Sequence, residues 1–197
     1  MTTQRTKPTD RHLPSHYLDT PGSRMMLRAP VGLWRLGLGP LAGRVWMVVT
    51  TTGRSSGLPR HTVVYPHVIG GRTYLWCPYG GRAQWYRNLV AEPVATVQWR
   101  RGTHVVRAVP LTDEAEALEV VAALRRFGAS WFRGYLTSQG LEDTNEEILQ
   151  HWQRLHLRRL EPTTEPGPPP LRVDLAWVWL VPASALVVGL MRRRRRP

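Results

Sequence analysis

Residues 50–60 read TTTGRSSGLPR. A threonine run with strand character stops at Gly53, and a loop carrying Arg54, Ser55, Ser56 and Arg60 follows before the chain turns strand-like again. A hairpin needs only its glycines, so the arginines and serines raise the question of a ligand. Successive backbone N–H groups around Gly53–Gly57 can form an anion-binding concavity. The serines add hydroxyl donors, and the two arginines add charge-assisted bonds that can be bidentate. A phosphodiester or a carboxylate tail suits such a loop, although an ordinary hairpin with its arginines in water accounts for it equally well.

A second stretch, CPYGGRAQWYRNL at 77–89, runs from a strand end through Gly80 and Gly81 into a helix. A helix N-terminus there can face a polar ligand. Trp85 and Tyr86 offer flat apolar faces to an aromatic ring, and Asn88 can both donate and accept at the edge of a heterocycle. Either aromatic alone reads more readily as core. An anion loop and an aromatic helix on adjacent hairpins are harder to set aside.

The elements that must position these residues follow from period and punctuation. RVWMVVTTT is β-branched and aromatic, as strands are. RHTVVYPHVI and RTYLWC flank Gly70-Gly71, a two-residue hairpin signal. Residues 83–93 read as a short helix stopped by Pro93. VATVQW and THVVRAV flank Arg100-Arg101-Gly102, a second hairpin. LTDEAEALEVVAALRRFG is the clearest helix, with Thr112 as cap, acids at its start, Arg125 and Arg126 near its end, and Gly128 to stop it. Helical character resumes through SWFRGYL and TNEEILQHW, where Thr144 and Glu147 form a capping box. RLHLRRLEP, 154–162, alternates like a closing strand. Residues 22–41 read as a broken helix that caps the core or touches a membrane surface. The fold class expected is mainly β with helical insertions (α+β), an antiparallel split β-barrel. Antiparallel hairpins exclude a parallel dinucleotide-binding sheet.

Composition fits a single globular domain: 197 residues, 42% hydrophobic, 21% charged, with a net charge of +13 that attracts anionic partners. Lys7 is the only lysine, so the excess is arginine. Arginine forks suit phosphates and carboxylates. One cysteine, Cys77, excludes an intrachain disulfide and fits a reducing cytosol. A cytoplasmic protein is expected. Metal chemistry is not expected, since seven histidines occur without HExxH. Nor is Ser-His-Asp hydrolysis. Nucleic acid is an improbable partner, because the arginines are scattered with no basic helix and no zinc spacing.

The chain divides into a disordered tail (1–21), a cofactor-binding barrel domain (22–161), a proline-rich linker (162–170) and an apolar segment with an arginine tail (171–197). Leu175 to Met191 is an uncharged run of 17 residues. As a helix it is about 25 Å long, marginal against a bilayer core of about 30 Å. Tryptophans mark one end and five arginines the other. The expectation is a helix bent at Pro182 lying peripherally on the inner face of the cell membrane, with 175–196 on anionic lipid. The alternative is a strand plus helix packed on the barrel.

TTTGRSSGLPR followed by GGRAQWYRNLVAEP, after LWRLGLGPLAGRVWMVVTTTGR, resembles the deazaflavin (F420)-dependent nitroreductase family, split-barrel proteins related to flavin-binding oxidases. The likeness spans residues 27–128. Best-known members read Gly-Arg-Lys-Ser-Gly where this chain has Ser55 in the lysine's place. They also carry a longer Ser-Lys-Gly-Gly loop where this chain has Pro78-Tyr79-Gly80-Gly81. The resemblance implies an F420-dependent reductase passing hydride from the reduced deazaflavin to a small acceptor, a quinone or nitroaromatic. FMN is the alternative cofactor, and the alternative roles are non-catalytic binding of F420 or FMN and that of a membrane-surface protein. Arg54, Ser55, Ser56, Gly57 and Arg60 would hold the cofactor's phosphate and glutamate tail, and Thr62 and Val64 would line the groove. Cys77, Pro78, Gly80 and Gly81 would border the ring, with Trp85, Tyr86 and Asn88 packed on it or bonded to it. Tyr79 would donate a hydrogen bond to the acceptor oxygen. A homodimer is the assembly the resemblance implies.

Overall fold

Seven antiparallel strands form one sheet in the order β2-β1-β5-β6-β7-β4-β3. The computed structural model describes residues 31–79, 81–100 and 102–179. The expectations for 1–21, for the first part of the 22–41 segment, for Gly80 and for the run beyond Trp179 lie outside the described residues. The strands are β1 (Met47–Thr52), β2 (Pro59–Val64), β3 (His67–Ile69), β4 (Arg72–Trp76), β5 (Val94–Trp99), β6 (Gly102–Pro110) and β7 (Leu157–Pro162).

Alternation decides the faces. Met47 and Val49 join Leu75, Val97, Val106, Ala108 and Leu160 in a buried cluster on the concave side, whereas Val48 points to the convex side. Helix α2 (Gln84–Ala91) closes the concave side with Trp85, Tyr86 and Leu89. Its packing is against β1 and β2. The result is a sheet curled into a split barrel with helices, an α+β fold. The short helix α1 (Gly39–Ala42) precedes β1. Trp34, in a helical turn at 31–35, is buried on the convex side with Val48 and Leu171.

Helices α3 (Glu114–Ser138) and α4 (Asn145–His151) cover the other half of that side. Val120, Leu124, Phe132, Leu136 and Ile148 pack there against Tyr74 and Trp76 of β4. Three local expectations shift. The cap of α3 is Asp113, whose carboxylate accepts from the Ala115 N–H, and not Thr112. Gly128 (φ −170°, ψ 78°) kinks α3 without ending it, since Phe132, Tyr135 and Leu136 beyond it are buried and hold the second half in place. The run through VVYPHVI is two strands, because Tyr65-Pro66 interrupts the ladder. Thr144 caps α4 as expected, its hydroxyl accepting from the Glu147 N–H at 3.2 Å, one of the two bonds of a capping box. At the Gly70-Gly71 turn both residues have positive φ, +56° and +75°, as a primed hairpin turn requires.

Residues 163–175, most of them read as linker from sequence, run over the sheet. Thr96 Oγ1 donates to the Pro168 carbonyl at 2.5 Å. The Gln98 amide takes both backbone groups of Leu171, at 2.9 and 3.1 Å. Arg107 pairs with Glu165 and Arg35 with Asp174. Among the described residues no helix is long and apolar enough to cross a membrane. Nor does any group of three or more His, Cys, Asp or Glu side chains occur among them that could hold a metal.

Candidate functional site

The β1–β2 loop is built by its glycines. Gly53 donates to the Leu58 carbonyl at 2.9 Å and accepts from Ser56 and Gly57 N–H at 3.0 and 2.7 Å. A Cβ on Gly53 would lie 2.7 Å from Ser56 Oγ and 3.1 Å from the Leu58 carbonyl, so a larger residue would displace the serine hydroxyl. Gly57 takes φ +65°, turning the chain back into β2. The loop spells G-x-S-x-G over residues 53–57, the string of a hydrolase nucleophile elbow. An elbow turns from a strand into a helix, however, and here the string joins two antiparallel strands.

Asn88 ties this loop to α2. Its side chain is 4% exposed. Its Oδ1 accepts from the Arg54 N–H at 3.3 Å and from Arg54 Nη1 at 3.1 Å, and its Nδ2 donates to Thr51 Oγ1 at 3.1 Å. Arg54 Nη1 also donates to Gln84 Oε1 at 2.8 Å. Arg60 Nη2 donates to Ser56 Oγ at 3.3 Å. Both guanidiniums are therefore oriented by neutral oxygens. Among the described residues neither has a carboxylate partner.

These side chains open onto a cleft of about 800 Å³. Of the residues picked from sequence, Arg54, Ser55, Ser56, Arg60, Thr62, Trp85 and Asn88 line it together. Gly57 shapes the loop without lining the cleft. Val64 and Tyr79 pack against the concave cluster, of which Cys77 and Tyr86 are buried members. Pro78 is half-buried. Gly81 (φ +73°) lies against the His156 ring, which a Cβ would approach to 2.5 Å at Nε2. The Tyr86 ring sits edge-on to His156 at 5.4 Å and under the Arg158 guanidinium, also at 5.4 Å. Burial pushes the Cys77 thiol up, against the smaller opposing pull of the Tyr79, Gly81 and Ala83 N–H groups. Burial likewise pushes the Tyr86 phenol up and keeps His156 low.

Sequence reasoning missed Gln84, His61 and Arg35, which also line the cleft. Gln84 was within reach, since it stands one helical turn before Asn88 and shares its face. His61 carried no local signal. Its Nδ1 lies 2.9 Å from Thr50 Oγ1, and burial lowers its pKa. Arg35 arrives from an element distant in sequence.

Chemically, the cleft offers uncompensated guanidiniums, hydroxyls and a buried amide beside an indole wall. That donor set fits a phosphate or carboxylate attached to a flat ring. The model of the F420H(2)-dependent quinone reductase family matches residues 33–135. Among solved structures, an F420-H2 dependent reductase, FDR-A, is 20% identical, with 60% of this chain and 95% of that one covered and a TM-score of 0.45. HutZ, the heme storage protein of Vibrio cholerae, is 14% identical over 75% and 98% of the two chains, with a TM-score of 0.41. A heme binding protein from Mycobacterium smegmatis is 14% identical over 66% and 49%, with a TM-score of 0.36. The family match takes in 103 of the 197 residues, the β1–β2 loop and α2 among them; the chain belongs to the F420H(2)-dependent quinone reductase family and is an F420-dependent reductase whose cofactor is coenzyme F420.

Proposed function

We propose that the cleft holds F420 through its phosphate and glutamate tail and that the electron acceptor is a quinone. The observation that carries this reading is the partnering of Arg54 and Arg60. Neutral oxygens of Gln84, Asn88 and Ser56 fix their geometry and leave their charge for a ligand. An arginine already neutralised by a carboxylate would have to exchange partners before binding an anion.

In this reading Ser55 and Ser56 add hydroxyl donors to the same phosphate. Trp85 forms an apolar wall and helps keep water from the ring. Asn88 holds Arg54 rigidly, so little ordering remains when ligand arrives. When bound and reduced, F420 supplies a hydride, and that chemistry is the cofactor's own. The protein's remaining task is to hold the acceptor and provide a proton. Tyr79 packs against the concave cluster and does not line the cleft, so it is given no role toward the acceptor. The family match favours a quinone over a nitroaromatic.

Fluorescence titration with F420, followed by single-turnover oxidation of reduced F420 with a soluble quinone and with a nitroaromatic, tests the proposal. Expected are tight binding, faster turnover with the quinone, and a loss of roughly tenfold or more in affinity for Arg54→Ala and Arg60→Ala. Wild-type affinity in both variants would overturn the site. Tight binding with no turnover of either acceptor would overturn the assignment of the acceptor.

A further inference from the structure

The cleft continues past Arg60. Beyond Pro59 and His61 it passes Val31 and Arg35 into a second groove of about 450 Å³, whose other wall is Pro169–Arg172 and Asp174 of the C-terminal strap. Arg35 lines both compartments. Its neighbour Trp34 is buried with Val48 and Leu171, so the 31–35 turn and the strap stand on the same patch of the sheet.

Arg35 differs from the other two cleft arginines in having a carboxylate partner. Its Nε donates to Asp174 Oδ1 at 2.8 Å and its Nη2 to Oδ2 at 2.7 Å, a fork-to-fork pair. The Leu175 N–H donates to the Arg35 carbonyl at 2.9 Å beside it. Both side chains remain open to water, at 42% and 50% exposure. A pair of this kind is cheap to open.

We propose that Asp174 is an internal carboxylate occupying a ligand subsite, and that Arg35 lets the enzyme distinguish a ligand with several anionic groups from one with a single anionic group. The inference rests on the cleft being the F420 site. A ligand whose phosphate engages Arg54 and Arg60 and whose glutamate carboxylates follow the groove reaches an arginine already oriented. One carboxylate then replaces another. Arg35 keeps an ion pair throughout, so the exchange requires only the release of Asp174 to water. Arg172 and His61 are the other ionisable groups facing the groove, and neither opposes an anion. A ligand whose only anionic group is spent at Arg54 and Arg60 leaves the Arg35–Asp174 pair closed.

Four proteins and two ligands test this. Wild type, Arg35→Gln, Asp174→Asn and the double variant are titrated by fluorescence with full-length F420 and with F420 truncated to its phosphate. For full-length F420, Asp174→Asn is expected to bind about two- to fivefold tighter and Arg35→Gln about three- to tenfold weaker. The double variant should match Arg35→Gln. For truncated F420 all four should bind alike. Melting temperatures within about 2 °C of wild type are expected, since the pair is exposed. A gain in Asp174→Asn for both ligands, or one that survives in the Arg35→Gln background, overturns the inference, because Asp174 would then act only as a diffuse charge. A weaker Asp174→Asn also overturns it, since the pair would then be a clasp for the strap. Wild type that binds neither ligand overturns the reading of the cleft itself, which separates the two failures.

Discussion

Replacing Asn88 with aspartate changes one buried atom from donor to acceptor and adds a charge beside Arg54. The shape is kept. Oδ1 still accepts from the Arg54 N–H and Nη1, now 3.3 and 3.1 Å away. The contact to Thr51 Oγ1, 3.1 Å at present, survives if the threonine hydroxyl turns to donate. Stability should therefore change little, because the desolvation of the new carboxylate is offset by its bond to Arg54. Binding should suffer heavily. A ligand phosphate gripped by Arg54 would lie about 6 Å from the new carboxylate, where repulsion at an effective dielectric of 20 to 40 amounts to about 1.4–2.8 kcal/mol, or roughly ten- to a hundredfold in Kd. Asn88→Ala is the companion variant. It removes three hydrogen bonds and leaves buried donors unsatisfied, at a cost of about 2–4 kcal/mol of stability. Chemical denaturation and F420 fluorescence titration on both variants give the two numbers separately. If Asn88→Asp binds F420 as wild type does while remaining folded, the uncompensated charge of Arg54 is not what holds the cofactor, and the reasoning fails.

Other consequences can be measured directly. Glu116, 5% exposed, accepts from Tyr74 Oη at 2.7 Å and is chelated by Arg159 at 2.7 Å. Burial alone would raise its pKa, but its bonds to Arg159 and Tyr74 and the nearby guanidiniums outweigh that and hold it low. Its contribution to stability is thus present above the unfolded-state value of about 4.3 and is lost as pH falls through the depressed folded value. Glu116→Gln should cost about 3–5 kcal/mol near neutral pH and flatten the acid limb of a stability-versus-pH curve. Gly81→Ala must place a Cβ at φ +73° against His156, so urea denaturation should report a loss of about 1–3 kcal/mol. Adding His156→Ala should recover the steric part only. Cys77 is fully buried and its thiol is held protonated, so native-state alkylation by iodoacetamide should run at least about a hundredfold slower than in denaturant. Rapid native labelling would show that the 77–83 loop opens.

Local chemistry was legible in the sequence, and long-range packing was not. The hairpins were written in Gly70-Gly71 and in the β-branched runs, the Thr144 cap in its spacing, and the tight turn of the 53–57 loop in its glycines. The helix at 84–91 was legible too, but not which of its residues would face the cleft. Trp85 and Asn88 open onto it, whereas the adjacent Tyr86 turns toward His156 and Arg158. Adjacent residues of a helix point about 100° apart, and which direction meets the cleft is set by how the helix docks on the sheet. The proline run misled in the same way. Proline lacks an N–H, so such a segment leaves few donors to satisfy when it is laid on a surface. Single side chains, Thr96 and Gln98, are enough to dock it. A composition that suggests a free spacer is equally suited to a packed strap.

The net charge of +13 says less about function than the kind of partner each arginine keeps. Arg72 and Arg159 hold Glu116, Arg107 holds Glu165, and Arg125 holds Asp143. These pairs join strand to helix, strap to sheet or helix to the loop that follows it, and their charge is spent within the fold. Arg54 is positioned instead by two amides and Arg60 by one hydroxyl. A neutral acceptor fixes direction and leaves the full Coulombic attraction for a ligand, and it does so without the exchange penalty that a carboxylate imposes. Arg35 stands between the two classes, in the cleft yet carboxylate-bound. Converting Gln84 to glutamate, at 2.8 Å from Arg54 Nη1, would give Arg54 a carboxylate partner like those of Arg107 and Arg125. The variant should be as stable as wild type or more stable by up to about 1 kcal/mol for a new exposed pair, while losing roughly tenfold in affinity for F420. Stability and binding moving in opposite directions from one added charge is the signature of a side chain held in reserve for a ligand, and a loss of both together would mean that Arg54 is structural after all.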